Sequence, residues 1–113
     1  MTIATINPAT GETITVYPAM SDAEVDARLD RAAAAARTFG RSDSDDRAAV
    51  LRGVADLLDA RAEEIAALVT LEMGKTLAAA RAEVDKCARA CRWFADAAPA
   101  LLADEEADAT DRK

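Results

Sequence analysis

Apolar and small residues recur through the second half of the chain at Leu77, Ala80, Val84, Cys87, Cys91, Phe94, Ala98 and Leu101, in steps of three and four. That spacing holds one face of an α-helix in line over many turns and predicts the longest helix of the chain. It starts after a break at Leu71-Glu72-Met73-Gly74-Lys75-Thr76-Leu77, where Gly74 suits a helix end and Thr76 an N-cap. Upstream, Ile65, Leu68 and Val69 mark the inner face of a helix over 62–72. Leu51, Val54 and Leu58 do the same for an earlier one, with Arg47 and Ala55 at its flanks. Ser44 is placed to cap that earlier helix, and Asp45 and Asp46 fall in its first turn. The pattern leaves open whether 45–73 is one bent helix or two. Gly53 inside it costs up to about 1 kcal/mol relative to Ala; close approach of a neighbouring helix and simple tolerance both account for it.

The first helix start is explicit. Ser21-Asp22-Ala23-Glu24 is a capping box, Met20 and Val25 form a hydrophobic staple, and Leu29, Ala32, Ala36 and Phe39 continue the apolar face to Gly40 as the C′ residue. Before it, Ile3 to Ile6 and Thr13 to Tyr17 are β-branched runs on either side of Asn7-Pro8-Ala9-Thr10-Gly11-Glu12, and predict a β-hairpin. A lone hairpin is marginal in water, so it is expected to lie, with the shorter helices, against the long helix. Pro99 cannot donate to the Ala95 carbonyl and predicts a kink or an end near Ala98, with Leu101 and Leu102 adding a turn. The expected fold is mainly α with an N-terminal β-hairpin over residues 1–103. The acidic stretch 104–113 is expected to be a solvated linker or truncated tail.

Composition changes this picture in one respect. Alanine supplies 30 of the 113 residues, and there are only two Phe, one Tyr and one Trp. Each Ala buries one methyl group, at roughly 25 cal/mol per Å², so these helices form readily yet fill little core. They are expected to need further packing partners, either another copy or more polypeptide. The net charge of −7 carries no Lys/Arg block free of acids, which argues against nucleic acid as a partner. Residues 1–5 do not read as a secretory signal, and no apolar run approaches the roughly 18 residues of a membrane span. A cytoplasmic protein is expected.

Candidate chemistry is thin. Gly74-Lys75-Thr76 matches the end of a phosphate-binding loop, but Val69 stands where the first glycine belongs, and the preceding segment reads as helix rather than strand. Cys87 and Cys91 lie four apart on one helix, a spacing unsuited to a disulfide, and the chain has no histidine to activate a thiol or complete a usual zinc set. Both are expected to be buried, reduced and apolar in role. Glu63 with Glu64, and Glu105 with Glu106, point in different directions on a helix and do not converge as an acid/base pair. Arg81 with Asp85, and Asp85 with Arg89, are expected as i,i+4 pairs. Trp93, beside Phe94, is a candidate contact either for polypeptide outside this chain or for packing within it. No catalytic, cofactor-binding or metal residue is expected here.

Three blocks carry a family resemblance: Ile6-Asn7-Pro8-Ala9-Thr10-Gly11-Glu12, Leu71-Glu72-Met73-Gly74-Lys75-Thr76-Leu77, and Ala80-Arg81-Ala82-Glu83-Val84, with Arg92-Trp93-Phe94-Ala95 following. In order and separation they resemble the N-terminal section of the NAD(P)-dependent aldehyde dehydrogenases, and within that family they are similar to bacterial succinate-semialdehyde dehydrogenases. The resemblance implies a parent about four times as long, with a Rossmann-like α/β cofactor domain, a catalytic domain, an oligomerisation arm and NADP or NAD as cofactor. It places the nucleophilic cysteine, the general-base glutamate, the oxyanion-holding asparagine and the cofactor-binding glycines beyond this region. This chain alone is then expected to bind no cofactor and to be inactive, its partner being the remainder of its own polypeptide in a homo-oligomeric parent. The residues themselves leave a second reading open, a free-standing helical module that self-associates.

Overall fold

The computed structural model describes residues 2–105. Two strands are followed by four helices among them: β1 (Thr2–Ile6), β2 (Thr13–Pro18), α1 (Asp22–Phe39), α2 (Ser44–Ala60), α3 (Ala62–Met73) and α4 (Leu77–Leu101). Asp104 and Glu105 follow α4 without regular structure, and most of the acidic stretch expected to be a tail lies outside the described residues.

Local chemistry fixes the helix ends. At α1 the capping box is complete: the Glu24 N–H donates to Ser21 Oγ at 3.4 Å, and the Ser21 N–H donates to Glu24 Oε2 at 2.8 Å. At α4 the Ala79 N–H donates to Thr76 Oγ1 at 3.3 Å. Gly74 closes α3 at φ +70, the left-handed region open to glycine, and its N–H donates to the Thr70 carbonyl. Gly40 also donates to Ala36, but at φ −64 it stays right-handed, so it is not the left-handed C′ glycine expected from the sequence. The cap of α2 is Asp43 rather than Ser44, and no side chain closes that end. Pro99 sits inside α4, which runs on to Leu101, so the helix does not end near Ala98.

Residues 45–73 form two helices. The joint is Arg61, at φ −110 and ψ 18, whose guanidinium holds Glu64 at 2.6 Å. The break lets α2 and α3 lie one after the other along α4. Ion pairs show the sense of packing: Arg52 with Asp96, Arg92 with Asp56 and Asp59, and Arg81 with Glu63. Rising numbers on α2 and α3 meet falling numbers on α4, an antiparallel helical hairpin with one long arm and one jointed arm.

Its seam is narrow. Ala55, Ala66 and Ala80 are fully buried, and Ala48, Val84, Ala88 and Ala95 nearly so. Leu58, Ala62, Ile65 and Val69 pack around the Ala66/Ala80/Val84 centre. Methyl-sized side chains let the helices approach closely, so dispersion contacts between backbones take the place of large interdigitating residues. On α4 the buried positions step through 80, 84, 88 and 95, by four, four and seven, whereas the expected stripe through Cys87 and Phe94 steps by three and four and keeps a tighter period. Cys87 and Phe94 therefore stand on the flank. The same rotation leaves Val54 and Leu68 exposed, while Leu51, Leu58, Ile65 and Val69 are half-buried. Gly53 has nothing within 4 Å of where a Cβ would stand, so no helix approaches it.

The expectation that everything upstream lies on α4 is not met. α1 buries none of its residues, and Met20, Val25, Leu29 and Phe39 are exposed. The hairpin pairs Ile3 with Tyr17 and Ala4 with Val16, with an irregularity between Thr5 and Ile6; Ile3, Ile6, Val16 and Tyr17 face solvent, while Ile14 is half-buried. Its loop approaches the helices at Pro8, whose Cγ lies 3.0 Å from the position of a Gly74 Cβ. The result is elongated, with extents of 68 × 40 × 29 Å and a radius of gyration of 20.5 Å, against about 13 Å for a compact domain of this size.

Candidate functional site

The residues that suggested chemistry are committed to structure. Lys75, in the turn after Gly74, forms an ion pair with Glu83, and Thr76 spends its hydroxyl on the cap of α4. A helix, not a strand, precedes this turn, so the backbone does not wrap a phosphate. Glu63 bonds Arg81 across the seam, with contacts of 2.6 and 2.8 Å, while Glu64 bonds Arg61 on its own helix. Hydrogen bonds from the arginines hold both carboxyls below the usual carboxylate range, and Lys75 does the same to Glu83. Arg81 was expected to pair with Asp85; it reaches Glu63 instead, and Asp85 pairs with Arg89.

Cys87 and Cys91 are free thiols. Cys87 is exposed and Cys91 half-buried, which corrects the expectation that both are buried. The reason is the helical drift that puts Ala88 in the seam. Among the described residues no group of three or more acidic, Cys or His side chains is placed to hold a metal, and no helix is long and apolar enough to cross a membrane.

A groove of about 370 Å³ lies between the start of α2 and the end of α4. Ala48 and Leu51 form one wall, Phe94, Ala98 and Leu102 the other, and Ser44 and Arg47 the polar end. Phe94 stacks edge-on against Trp93, ring centres 4.8 Å apart and planes at 83°, an arrangement favoured by the ring quadrupoles. Both rings are more than half exposed. A second, smaller depression of about 160 Å³ is lined by Val54, Leu57, Leu58, Arg61 and Ile65. With the bare face of α1, these make an apolar surface that nothing in the described chain covers, of the kind that marks binding sites of several sorts. Sequence periodicity pointed to the wall residues but not to the groove, since a groove forms where two helices splay, and periodicity describes one helix at a time.

Comparison with known proteins accounts for this architecture. The family model for the aldehyde dehydrogenase family matches residues 1–113. An NADP(+) succinate-semialdehyde dehydrogenase 1 of Mycobacterium tuberculosis is 53% identical over 109 residues, covering 96% of this chain and 24% of that protein. A succinate-semialdehyde dehydrogenase of Mycobacterium avium is also 53% identical, over 96% of this chain and 23% of its own length. Among solved structures, an aldehyde dehydrogenase from Brucella melitensis biovar abortus superposes with a TM-score of 0.85 at 35% identity, over 98% of this chain and 23% of that one. An NADP dependent enzyme from E. coli does so with a TM-score of 0.84 at 30% identity, over 98% of this chain and 23% of its own. The hairpin and helices thus correspond to about a quarter of each of these longer proteins. Matched along its entire length by the family model, the chain belongs to the aldehyde dehydrogenase family.

Proposed function

We propose that this chain is the N-terminal scaffold of a dehydrogenase that oxidises succinate semialdehyde to the acid with NADP(+) or NAD(+), and that it contributes packing surface rather than bond-making groups. The observation that carries the scaffold reading is the uncovered apolar face, with α1 burying nothing and the aromatic pair at Trp93 and Phe94 standing open. Support for the substrate comes from the mycobacterial relatives at 53% identity. In this reading residues 1–103 are the opening hairpin and outer helices of the cofactor-binding part, and the stretch from 104 leads onward. The partner is the rest of the same polypeptide, in a homo-oligomer.

The chemistry requires a thiolate to attack the aldehyde carbon, donors to hold the resulting oxyanion, and a nicotinamide to accept hydride. The chain has no histidine to act as base, and neither Cys87 nor Cys91 lines the groove, so neither is assigned that role. Two preparations test the proposal: the 113-residue chain and the complete polypeptide that carries it, each assayed for nucleotide reduction with succinate semialdehyde and a panel of other aldehydes. The expected outcome is no turnover by the chain and preferential oxidation of succinate semialdehyde by the complete polypeptide. Turnover by the homogeneous chain overturns the scaffold reading; preference for an unrelated aldehyde overturns the substrate.

A further inference from the structure

Neither Cys87 nor Cys91 lines the groove, and their spacing on α4 gives them a use of their own. The helix runs without a break from Leu77 to Leu101, so the two thiols stand one turn apart on the same flank. Cys87 is exposed and Cys91 half-buried, beside the seam that Ala88 and Ala95 close. Residues four apart on a helix hold their Cβ atoms about 5–6 Å from each other, whereas a disulfide needs about 3.5–4.5 Å. The pair is therefore unsuited to direct joining, and both thiols are free. A gap too wide for a sulfur–sulfur bond is wide enough for an ion between the sulfurs. Helical side chains lean toward the N-terminus, which carries the Cys91 thiol over the turn toward Cys87, and a choice of staggered rotamers at each residue lets the two sulfurs converge.

We propose that Cys87 and Cys91 form a two-thiolate site for a soft, thiophilic cation, and that copper(I) is the ion of this class that it takes. The inference is independent of the scaffold reading, since it uses only the regular geometry of α4. Thiolates select soft ions, and the surroundings narrow the choice. Structural zinc takes four ligands, but the chain has no histidine, and no third Cys, Asp or Glu is placed to complete a set among the described residues. The carboxylates nearest in the fold hold cations already: Glu83 pairs with Lys75, Asp85 with Arg89, and Asp56 and Asp59 with Arg92. An ion satisfied by two sulfur ligands fits these surroundings, and copper(I) is such an ion. On binding, each thiol gives its proton to solvent and two sulfur–copper bonds form, with no change of oxidation state. The complex carries one net negative charge, and the exposed Lys86 stands next to it in the chain.

The test supplies copper(I) anaerobically from a bicinchoninate buffer, whose colour reports the copper it gives up, to the 113-residue chain and to the complete polypeptide that carries it. The chain is expected to take one ion, with a thiolate-to-copper absorption band in the ultraviolet and release of protons. Cys87→Ala and Cys91→Ala are each expected to weaken binding by about 100-fold or more, the advantage that a second tethered ligand confers. A moved thiol separates geometry from thiol count. Cys91→Ala combined with Arg89→Cys keeps two cysteines but sets them two residues apart, where helical side chains do not face each other, and is expected to bind as weakly as the single variants. Arg89 is exposed and pairs with Asp85 on its own helix, so the seam is kept, and circular dichroism verifies the fold of each variant. Affinity unchanged in a single variant or in the moved-thiol variant overturns the proposal, as does one ion shared between two chains or a preference for zinc. In the complete polypeptide the site is read as the difference between the unsubstituted protein and Cys87→Ala, and equal copper uptake by those two overturns it as well.

Discussion

Gly74 and Gly53 show how differently one residue type is used. Gly74 is left-handed at φ +70 and faces Pro8, whereas Gly53 is an ordinary helical residue with open space where a Cβ would be. Gly74→Ala is expected to destabilise the α3–α4 turn by about 1–2 kcal/mol through the left-handed penalty, with the Pro8 contact adding to it. Gly53→Ala is expected to stabilise α2 by up to about 1 kcal/mol. Denaturant midpoints followed by circular dichroism check both, and equal shifts for the two glycines would contradict the assignment. Glu24 gives a pH dependence at the same scale. Hydrogen bonds from Ser21, chiefly its backbone N–H, hold the Glu24 carboxyl below its ordinary 4.5. A lowered carboxyl stabilises the fold fully above its unfolded value and loses that contribution as pH falls through the lowered one. Helicity should therefore decline on acidification in that window, and Glu24→Gln should flatten that part of the titration. A variant that follows the parent curve would remove Glu24 from the account.

At the scale of elements, side-chain size governs the helical hairpin. A seam of Ala55, Ala66, Ala80, Ala88 and Ala95 leaves no room for longer residues, so Ala88→Leu is expected to force α4 from its neighbours at a cost of about 1–3 kcal/mol. Thermal unfolding measures this, and a neutral outcome would mean the helices sit further apart than described. The sequence made some element ends legible because caps are local: Ser21 with Glu24, Thr76 and Gly74 each act within four residues, whereas Ser44 and Pro99 did not mark the ends they suggested. It did not make the faces fully legible. A stripe of Val, Cys and Phe looks more core-like than one of alanines, yet close helix approach buries Ala88 and leaves Cys87 on the flank. Arg81 shows the same limit, since a carboxylate on its own helix competed with Glu63 on another, and only packing decides between them. The groove was invisible for a related reason, as Arg47 reads as a helix flank until Phe94 and Leu102 are placed opposite it.

For the molecule as a whole, the fold class was readable from the chain, and the long-range placement of the hairpin and α1 was not. Their apolar faces promise partners, but no partner for them stands among residues 2–105, so periodicity could only assign them to the nearest helix. What results is a firm hairpin of α2, α3 and α4 carrying two loosely attached elements. Most helical stability in proteins comes from packing of an apolar face, and α1 buries none of its residues. Trypsin should consequently cut the chain first at Arg28, Arg31 or Arg37, well before Arg52 or Arg92, and mass spectrometry of timed digests will give the order. Initial cleavage within α2 or α4 would reverse this ranking. On the scaffold proposal the bare helix reports assembly: closure of a longer polypeptide around it is expected to make those three arginines the slowest places for a protease to enter.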